Sequence, residues 1–456
     1  MNAPSAQSVA ERLADKAVAL RREAVPAAVR ERAEQLLIDV VGLCVAARGT
    51  DYMKALVAAL DAGGGCTAIG HAATYGAATA ALINGTAAHG EDFDDTFEGG
   101  PVHSSAVVIP AVLAACERFG RDGRAALLGI AAGVETTCRL SMVIPKAIHK
   151  AGFHPTSVLG TIGAALAASI AMGLDRRQTV DALGIAGSMA SGIIEYLAEG
   201  AWTKRMHPGW AAQSGITAAR LGQSGFFGPR TVLEGTHGLF HGFARSIEGD
   251  YGVLTDGFGA KWFMDAITFK PYATGTMNQP YVDCALRLRA RGVRAEEVKE
   301  ILCETAEGYV HRLWEPLASK HRPANAYAAK FSTPFNIAVA FVTGGAGISA
   351  FTEATARDER VLALASKVRY VVDPDNPYPR AYTGHIRATL NDGRVIEERQ
   401  PHIRGGVHAP LTRAEIEAKF RGNCGHGGWP KERAQRFLDR VTKFFDTPMD
   451  LSLLRG

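Results

Sequence analysis

Residues 77–96 read AATAALINGTAAHGEDFDDT, and this stretch sets the expectation for the fold. Its first part is a run of small and apolar residues, as in a helix that packs closely against its neighbours. Its second part, from His89 on to His103, collects three Asp, two Glu and two His within fifteen residues. Charged side chains are rarely buried without partners, so this cluster is unlike a protein core. It is typical of an acid–base site at the mouth of a helical domain.

Spacing alone leaves three interpretations of this acidic cluster open. Asp92 and Asp95 are three residues apart, so on a helix they would share a face with His89 and Thr96. The cluster fits a solvated helix end with capping carboxylates. It also fits a magnesium site, because clustered carboxylates suit hard cations. The third interpretation is an acid–base site, in which carboxylates and imidazoles change one another's pKa values.

The first half of the chain predicts one helix after another. Apolar residues from Val29 to Cys44 recur on one helical face, and Pro26 suits the entry to that helix. The same periodicity predicts helices over Ser105–Phe119, Ala125–Val143, Pro155–Met172 and Thr179–Ala186. Ala and Gly are dense in this half, and small residues let helices approach closely. We therefore expect a tightly packed helical bundle.

The helical periodicity of apolar residues gives way near residue 265 to segments that are rich in strand-forming residues. Strands are predicted over Glu297–Thr305, Lys367–Val372, His385–Leu390 and Val395–Arg399, with helices over Phe335–Thr343 and Asp358–Lys367. Asn391-Asp392-Gly393 marks a hairpin turn between the last two strands. Amphipathic helices return at Thr412–Phe420 and Lys431–Phe445.

The predicted fold class is α plus α+β. A chain of 456 residues is too long for one ordinary core, so two or three domains are expected. We expect a large all-helical domain over residues 1–268 and a smaller α+β domain over residues 269–429. The C-terminal helices, residues 430–456, are expected to pack back on the helical domain.

Composition narrows the function classes. The net charge is only +4, from 50 basic and 46 acidic residues, which favours neither a nucleic-acid partner nor a polybasic membrane patch. The seven Cys are scattered without a Cys-x-x-Cys pair, so they are expected to be reduced and buried. The N-terminal segment lacks an apolar core, so no secretory leader is expected, and no stretch is expected to reach the roughly 18 apolar residues of a membrane span. These features predict a cytoplasmic protein.

Three further segments are candidates for chemistry. Gly152–Ser157 places an imidazole and two hydroxyls at a helix start, which fits either a plain cap or an anion site. Trp202–Trp210 holds three potentially cationic side chains between two Trp, which fits a solvated charge run or a carboxylate or phosphate site on a partly buried loop. Lys270–Pro280 lies where the pattern changes, so it fits a ligand site at a domain junction or a structural hinge.

Several common catalytic motifs do not occur in this sequence. No glycine-rich dinucleotide fingerprint follows a strand, and there is no phosphate-binding loop, His-Glu-x-x-His motif or Gly-x-Ser-x-Gly elbow. Nicotinamide redox chemistry, nucleotide hydrolysis, zinc proteolysis and serine hydrolysis therefore lose support. Chemistry by His, Asp and Lys side chains on an anionic substrate remains.

Taken together and in this order, these segments resemble the MmgE/PrpD family, which contains 2-methylcitrate dehydratase, cis-aconitate decarboxylase and iminodisuccinate epimerase. The resemblance spans nearly the whole chain, and six motifs in order are specific to the family but not to one reaction. The matching stretches are His89–Thr96 with His103, Gly152–Gly160, Thr203–Gly209, Lys270–Asp283, Ala329–Phe335 and Pro410–Phe420.

The resemblance implies a helical domain with a smaller α/β lid, paired as a homodimer, with an active site between the domains and no metal or organic cofactor. By motif position it implies catalytic residues, which are Asp92, His103, His154 and Lys204. Substrate binding is expected from Thr96, Arg205, His207 and Gln279. Asp94 and Asp95 are expected to be structural, and no residue is expected to bind metal.

Two positions depart from the family pattern. Asn278-Gln279-Pro280 stands where the family often has Thr-His-Pro or Thr-His-Ala, and Phe335 stands at a position that is frequently Tyr. Gln279 can hydrogen-bond a carboxylate but cannot take up a proton at neutral pH, and Phe335 can do neither. These departures bear on proton delivery from the lid and on the choice of substrate.

The expected function is that of a lyase or isomerase of a small di- or tricarboxylate, the small anionic partner of this protein. Within this class, the favoured reaction is dehydration of a 2-methylcitrate-like hydroxy acid. Decarboxylation of a cis-aconitate-type acid and epimerisation of an iminodisuccinate-type acid are the alternatives. A non-catalytic dimeric polycarboxylate-binding protein is the alternative from a different class, because of Gln279 and Phe335.

Overall fold

The computed structural model describes residues 6–456. Two compact units make up the chain: one runs to Ile267 and resumes over Arg413–Gly456, and the other is Thr268–Thr412. The first unit is helical, and the second combines a sheet with helices, which confirms the predicted fold class.

Helices build almost all of the first unit. They are α1 Val9–Ala19, α2 Ala27–Ala47, α3 Asp51–Ala58, α4 Ala77–His89, α5 Ser105–Phe119, α6 Gly123–Val143, α7 Ala147–Lys150, α8 Pro155–Met172, α9 Arg176–Met189, α10 Tyr196–Glu199, α11 Thr203–Gln223 and α12 Leu239–Ala244, with α19 Arg413–His426 and α20 Lys431–Val441 from the C-terminal part of the chain. Short strands β1 Cys66–Thr67, β2 Thr74–Tyr75 and β3 Thr96–Phe97 lie between them.

Helix α8 lies at the centre of this unit, and every one of its residues is buried. It packs against α5, α6 and α11, and α11 in turn packs along α4. Pro155 occupies the first position of α8, where a missing backbone N–H costs nothing. The ends of α4 and the starts of α8 and α11 carry the histidines and lysine that the sequence singled out.

Close contact between α4 and α11 depends on two glycines. A Cβ atom placed on Gly85 of α4 would lie 2.6 Å from the Cα atom of Gly209 in α11. Real Cβ atoms do not approach a backbone atom so closely, so neither helix can carry a side chain at this crossing. The prediction that small residues let these helices approach one another is confirmed at this point.

The second unit is built on a four-stranded sheet. Its strands are β5 Val298–Thr305, β6 Val368–Val372, β7 Gly384–Leu390 and β8 Val395–Gln400, and its helices are α13 Gln279–Ala290, α14 Glu307–Tyr309, α15 Leu317–His321, α16 Ala326–Ala329, α17 Thr333–Thr343 and α18 Glu359–Ala365. Strand β4, Ile267–Thr268, lies at the chain junction between the units.

The sheet has the order β6-β5-β7-β8, with β5 parallel to β6 and antiparallel to β7. Strands β7 and β8 form the hairpin predicted from Asn391-Asp392-Gly393, and Gly393 has a positive φ of 88° in its turn. Ile301, Cys303 and Ile386 are fully buried, and α13 packs on β7 and β8. These contacts give an α+β layer with helices against the sheet.

The boundary after the second unit differs from the sequence expectation. Residues 413–429 were expected in the lid, but α19 belongs to the helical unit. The reason is its packing on α2, where the fully buried ring of Phe420 lies against Gly42. Lys419 adds a buried ion pair, since its Nζ atom lies 2.8 Å from a carboxylate oxygen of Asp39.

Two helices in the first unit, α6 and α8, are long and apolar enough to cross a membrane by length and composition alone. Within residues 6–456, the bent pair Thr333–Thr343 and Ile348–Arg357 passes the same test if it is taken as one span. The expectation that no segment reaches this length is therefore wrong. In the structure, 94% of the apolar window of α6 and 100% of that of α8 are buried inside the protein.

The α4–α11 crossing gives a stability prediction. We expect Gly85→Ala to lower the free energy of unfolding by about 1–3 kcal/mol, because the added methyl group has no space between two backbones. Thermal and denaturant unfolding measure this change.

Gly242→Ala is the matched control. Gly242 lies inside α12, and a Cβ atom there would meet nothing within 4 Å. Alanine has the higher helix propensity, so this variant is expected to be neutral or up to about 1 kcal/mol more stable. Equal effects of the two substitutions would contradict the close approach of α4 and α11.

Candidate active site

The chain leaves the helical conformation directly after α4. Helix α4 ends at His89, and Asp92 has a left-handed backbone with a φ of 53°, which Asp adopts more readily than most residues. The expectation that Asp92 and Asp95 share a helical face with His89 is therefore wrong. The turn instead brings Asp94 back toward His89, and Nδ1 of His89 lies 2.8 Å from Oδ2 of Asp94.

Asp94 contacts a second imidazole as well. Its carboxylate oxygen lies 3.4 Å from Nδ1 of His103, and both His89 and Asp94 are completely shielded from solvent. The same nitrogen of His103 lies 2.7 Å from the carbonyl oxygen of Asp95 and 3.4 Å from Oγ1 of Thr96. The structural role expected for Asp94 is therefore incomplete, because this carboxylate holds two rings of the candidate site.

Two more imidazoles complete a group that we call the histidine cluster, formed by His89, His103, His154 and His207. His154 precedes the first turn of α8, and His207 lies in the second turn of α11. Their Nδ1 atoms are 3.1 Å apart, so one ring donates a hydrogen bond and the other accepts it. The ring centres of His89 and His103 are 4.7 Å apart, and those of His89 and His154 are 5.8 Å apart.

Burial keeps two of these rings uncharged. Loss of solvent, followed by the nearby charge of His89, lowers the pKa of His154 well below its usual value. The same causes, with Lys204 as a further cation, lower the pKa of His207 to about 4. Both rings are therefore neutral at pH 7, and a neutral imidazole can accept a proton from a substrate.

Lys204 and Asp92 form a buried ion pair beside the cluster. Nζ of Lys204 lies 3.1 Å from Oδ1 of Asp92, and both side chains are nearly buried. Lys204 lies in the first turn of α11, so the cations expected on a loop between two Trp belong to a helix. A carboxylate that approaches this ammonium would meet a cation that is already held in place by Asp92.

The side chain of Arg205 contacts Tyr52 and Glu91. Its guanidinium lies 4.3 Å from the ring centre of Tyr52, and its Nη1 atom lies 3.5 Å from a carboxylate oxygen of Glu91. These contacts make Lys204, rather than Arg205, the better candidate to meet a substrate carboxylate.

Asp95 anchors the loop to the start of α5. It accepts hydrogen bonds from the hydroxyl of Ser104, at 3.1 Å, and from the backbone N–H of Ser105, at 3.2 Å. Burial, followed by the charge of Asp94, raises the pKa of Asp95 to about 7. Its contacts agree with the structural role expected from the sequence.

The structure brings together most residues that the sequence singled out. Within the helical unit lie Asp92, Thr96, His103, His154, Lys204, Arg205 and His207. Sequence reasoning did not assign His89 to the site, although the ring lies in the cluster. The signal for it was an imidazole at the end of a helix, five residues before a carboxylate that the following turn can fold back.

Gln279 and Phe335 belong to the interior of the second unit. The amide of Gln279 donates to the carbonyl oxygens of Tyr272 and Thr274 and accepts from the N–H of Tyr272, and the side chain is fully buried. Phe335 is fully buried in the first turn of α17. In this conformation, both departures from the family pattern serve packing and loop structure.

These bonds predict that Gln279→Leu mainly destabilises the protein. The substitution leaves two carbonyls and one N–H of the loop without their partner, which costs about 1–3 kcal/mol for a buried group. Unfolding measurements on this variant test the expectation. The exposed Gln223→Leu is the control and is expected to change stability by no more than about 0.5 kcal/mol. An unchanged stability with a raised KM would instead assign Gln279 to the substrate.

Two family models match most of this chain. The model of the MmgE/PrpD N-terminal domain matches residues 11–249, and that of the MmgE/PrpD C-terminal domain matches residues 272–443. The chain therefore belongs to the MmgE/PrpD family, which confirms the resemblance seen in the sequence.

Three relatives are named after the decarboxylation of cis-aconitate. Cis-aconitate decarboxylase of Homo sapiens is 31% identical over 76% of this chain and 72% of its own length. Cis-aconitate decarboxylase of Aspergillus terreus is 28% identical over 89% of this chain and 87% of its own length. The cis-aconitate decarboxylase-like protein oryM of Aspergillus oryzae is 26% identical over 95% of this chain and 94% of its own length. Decarboxylases of this kind are lyases.

Proposed function

We propose that this protein is a lyase of small tricarboxylates that works by acid–base chemistry on its histidine cluster. The observation that carries the proposal is the position of neutral imidazoles next to the Lys204–Asp92 ion pair. Imidazoles supply proton transfer at carbon, and the ammonium supplies positive charge for a substrate carboxylate.

In this proposal His103 and His154 carry the protons. His154 is neutral and able to accept a proton, while Nδ1 of His103 is held by the loop that contains Asp94 and Asp95. Lys204 binds a carboxylate and stabilises negative charge that develops on the adjacent carbon. Asp92 orients Lys204, and Thr96 orients the ring of His103.

The first candidate reaction is decarboxylation of a cis-aconitate-type acid. It is supported by relatives of this name that align with 76–95% of the chain. Loss of CO₂ breaks a carbon–carbon bond and leaves its electron pair on the carbon framework. That carbon takes up a proton from His103, whose protonated form the adjacent Asp94 carboxylate stabilises, and solvent then returns a proton to the ring. This choice replaces the dehydration that the sequence favoured as the first candidate.

The second candidate is dehydration of a 2-methylcitrate-like acid. That reaction needs a base for the proton next to a carboxylate and an acid for the leaving hydroxyl group. The cluster offers more than one imidazole within a short distance, since the ring centres of His103 and His154 are 6.4 Å apart. One ring can therefore serve as the base while another serves as the acid.

Two substitutions separate binding from chemistry. We expect His154→Ala to lower kcat by about 10²–10⁴-fold with little change in KM, because a proton carrier is lost. We expect Lys204→Ala to raise KM by about 10–100-fold, because a charged hydrogen bond to a carboxylate is lost. Steady-state kinetics with the turned-over acid measure both effects.

The exposed side chains of His311 and Lys443 provide matched controls. His311→Ala and Lys443→Ala are expected to keep wild-type kcat and KM. A wild-type kcat/KM in both His154→Ala and Lys204→Ala would remove these residues from the mechanism.

The reaction is identified by assaying the purified protein with cis-aconitate, 2-methylcitrate, citrate and iminodisuccinate in D₂O. NMR of the products distinguishes CO₂ loss, dehydration and epimerisation, and deuterium in the product reports proton delivery to carbon. The proposal predicts CO₂ loss from cis-aconitate. Thermal stabilisation by a tricarboxylate without any turnover would contradict a lyase and favour a binding protein.

A further inference from the structure

Three imidazoles of the histidine cluster have the arrangement of a metal site. His89, His103 and His154 each offer a ring nitrogen, and the three ligand atoms lie within 4.8 Å of one another. Zinc binds imidazole nitrogen at about 2.0–2.1 Å, so nitrogens around a tetrahedral ion are about 3.4 Å apart.

Each of the three rings is held through its other nitrogen. Nδ1 of His89 faces the Asp94 carboxylate at 2.8 Å, and Nδ1 of His103 faces the Asp95 carbonyl at 2.7 Å. Nδ1 of His154 faces the ring of His207 at 3.1 Å. Metal-binding histidines in proteins have such partners, which fix the ring and raise the basicity of the ligand. The pattern assigns Nε2 of each ring as the ligating atom.

Charge around the three rings also suits a cation. Asp94 lies against both His89 and His103, so its negative charge is next to two of the three ligands. Lys204, whose positive charge acts on His154 and His207, is paired with Asp92 at 3.1 Å. A divalent ion bound by the three rings would therefore be attracted by the negative charge of Asp94. The positive charge of Lys204 would repel it less, because Asp92 partly neutralises that charge.

We propose that His89, His103 and His154 bind one divalent transition-metal ion of the zinc class and that this ion inhibits the enzyme. Three imidazole ligands leave a fourth position open for water or a carboxylate. The inhibition rests on the proposed function, because the ion occupies the lone pairs that His103 and His154 need for proton transfer. Metal binding itself does not depend on that function.

The binding test uses protein that has been freed of metal with a chelator. Titration with CoCl₂ is expected to give the visible absorption of four-coordinate Co²⁺ with one ion per chain, and ZnCl₂ is expected to displace it. His89→Ala is expected to abolish this absorption. Asp94→Asn, which keeps every ligand, is expected to weaken Zn²⁺ binding by about 10–100-fold.

His311→Ala is the control for a surface imidazole and is expected to bind Co²⁺ like the wild type. Circular dichroism and unfolding confirm that each variant is folded, and the wild-type titration remains decisive if His89→Ala does not fold. No one-to-one Co²⁺ complex in the wild type, or an unchanged complex in folded His89→Ala, would overturn the proposal.

Activity separates this inference from the proposed function. Zn²⁺ is expected to inhibit turnover of cis-aconitate, and chelator is expected to restore it. Turnover that is insensitive to Zn²⁺ would overturn the inference and leave the proposed lyase intact. A protein that binds one Co²⁺ ion per chain but turns over none of the four acids would contradict the proposed lyase and the inhibition. The proposed metal site would still stand.

Discussion

A single buried carboxylate, that of Asp94, holds the candidate site together. It faces Nδ1 of His89 at 2.8 Å and Nδ1 of His103 at 3.4 Å, and solvent reaches neither Asp94 nor His89. A buried charge without such partners is strongly unfavourable, so the carboxylate and the rings stabilise one another's positions. The left-handed turn at Asp92 brings Asp94 back to the end of α4.

Close helix packing places the other rings around this pair. Gly85 and Gly209 let α4 and α11 touch along their backbones, and α8 is buried between its neighbours. His154 at the start of α8 and His207 in α11 then face each other at 3.1 Å, in surroundings that keep both uncharged at pH 7. The small residues that make the fold compact are thus also the reason why four imidazoles meet.

Periodicity in the sequence predicted several of the long elements in both units. The bounds of Ser105–Phe119 and Pro155–Met172 agree with the structure, and so does the hairpin at Asn391-Asp392-Gly393. Periodicity could not predict the left-handed turn at Asp92, the recruitment of His89 or the packing of α19 on α2, because each depends on contacts between residues far apart in space or on a single backbone conformation. Gln279 was expected to bind substrate, but its side chain makes three hydrogen bonds to the backbone of Tyr272 and Thr274.

We propose that the histidine cluster and Lys204 together form the reaction centre. A crystal structure with bound propane-1,2,3-tricarboxylate, which lacks the double bond and hydroxyl group of the candidate substrates, tests it most directly. We expect one carboxylate about 3 Å from Nζ of Lys204, with an imidazole of His103 or His154 against the carbon framework. A ligand bound away from the cluster, with Lys204 in contact only with Asp92, would contradict it.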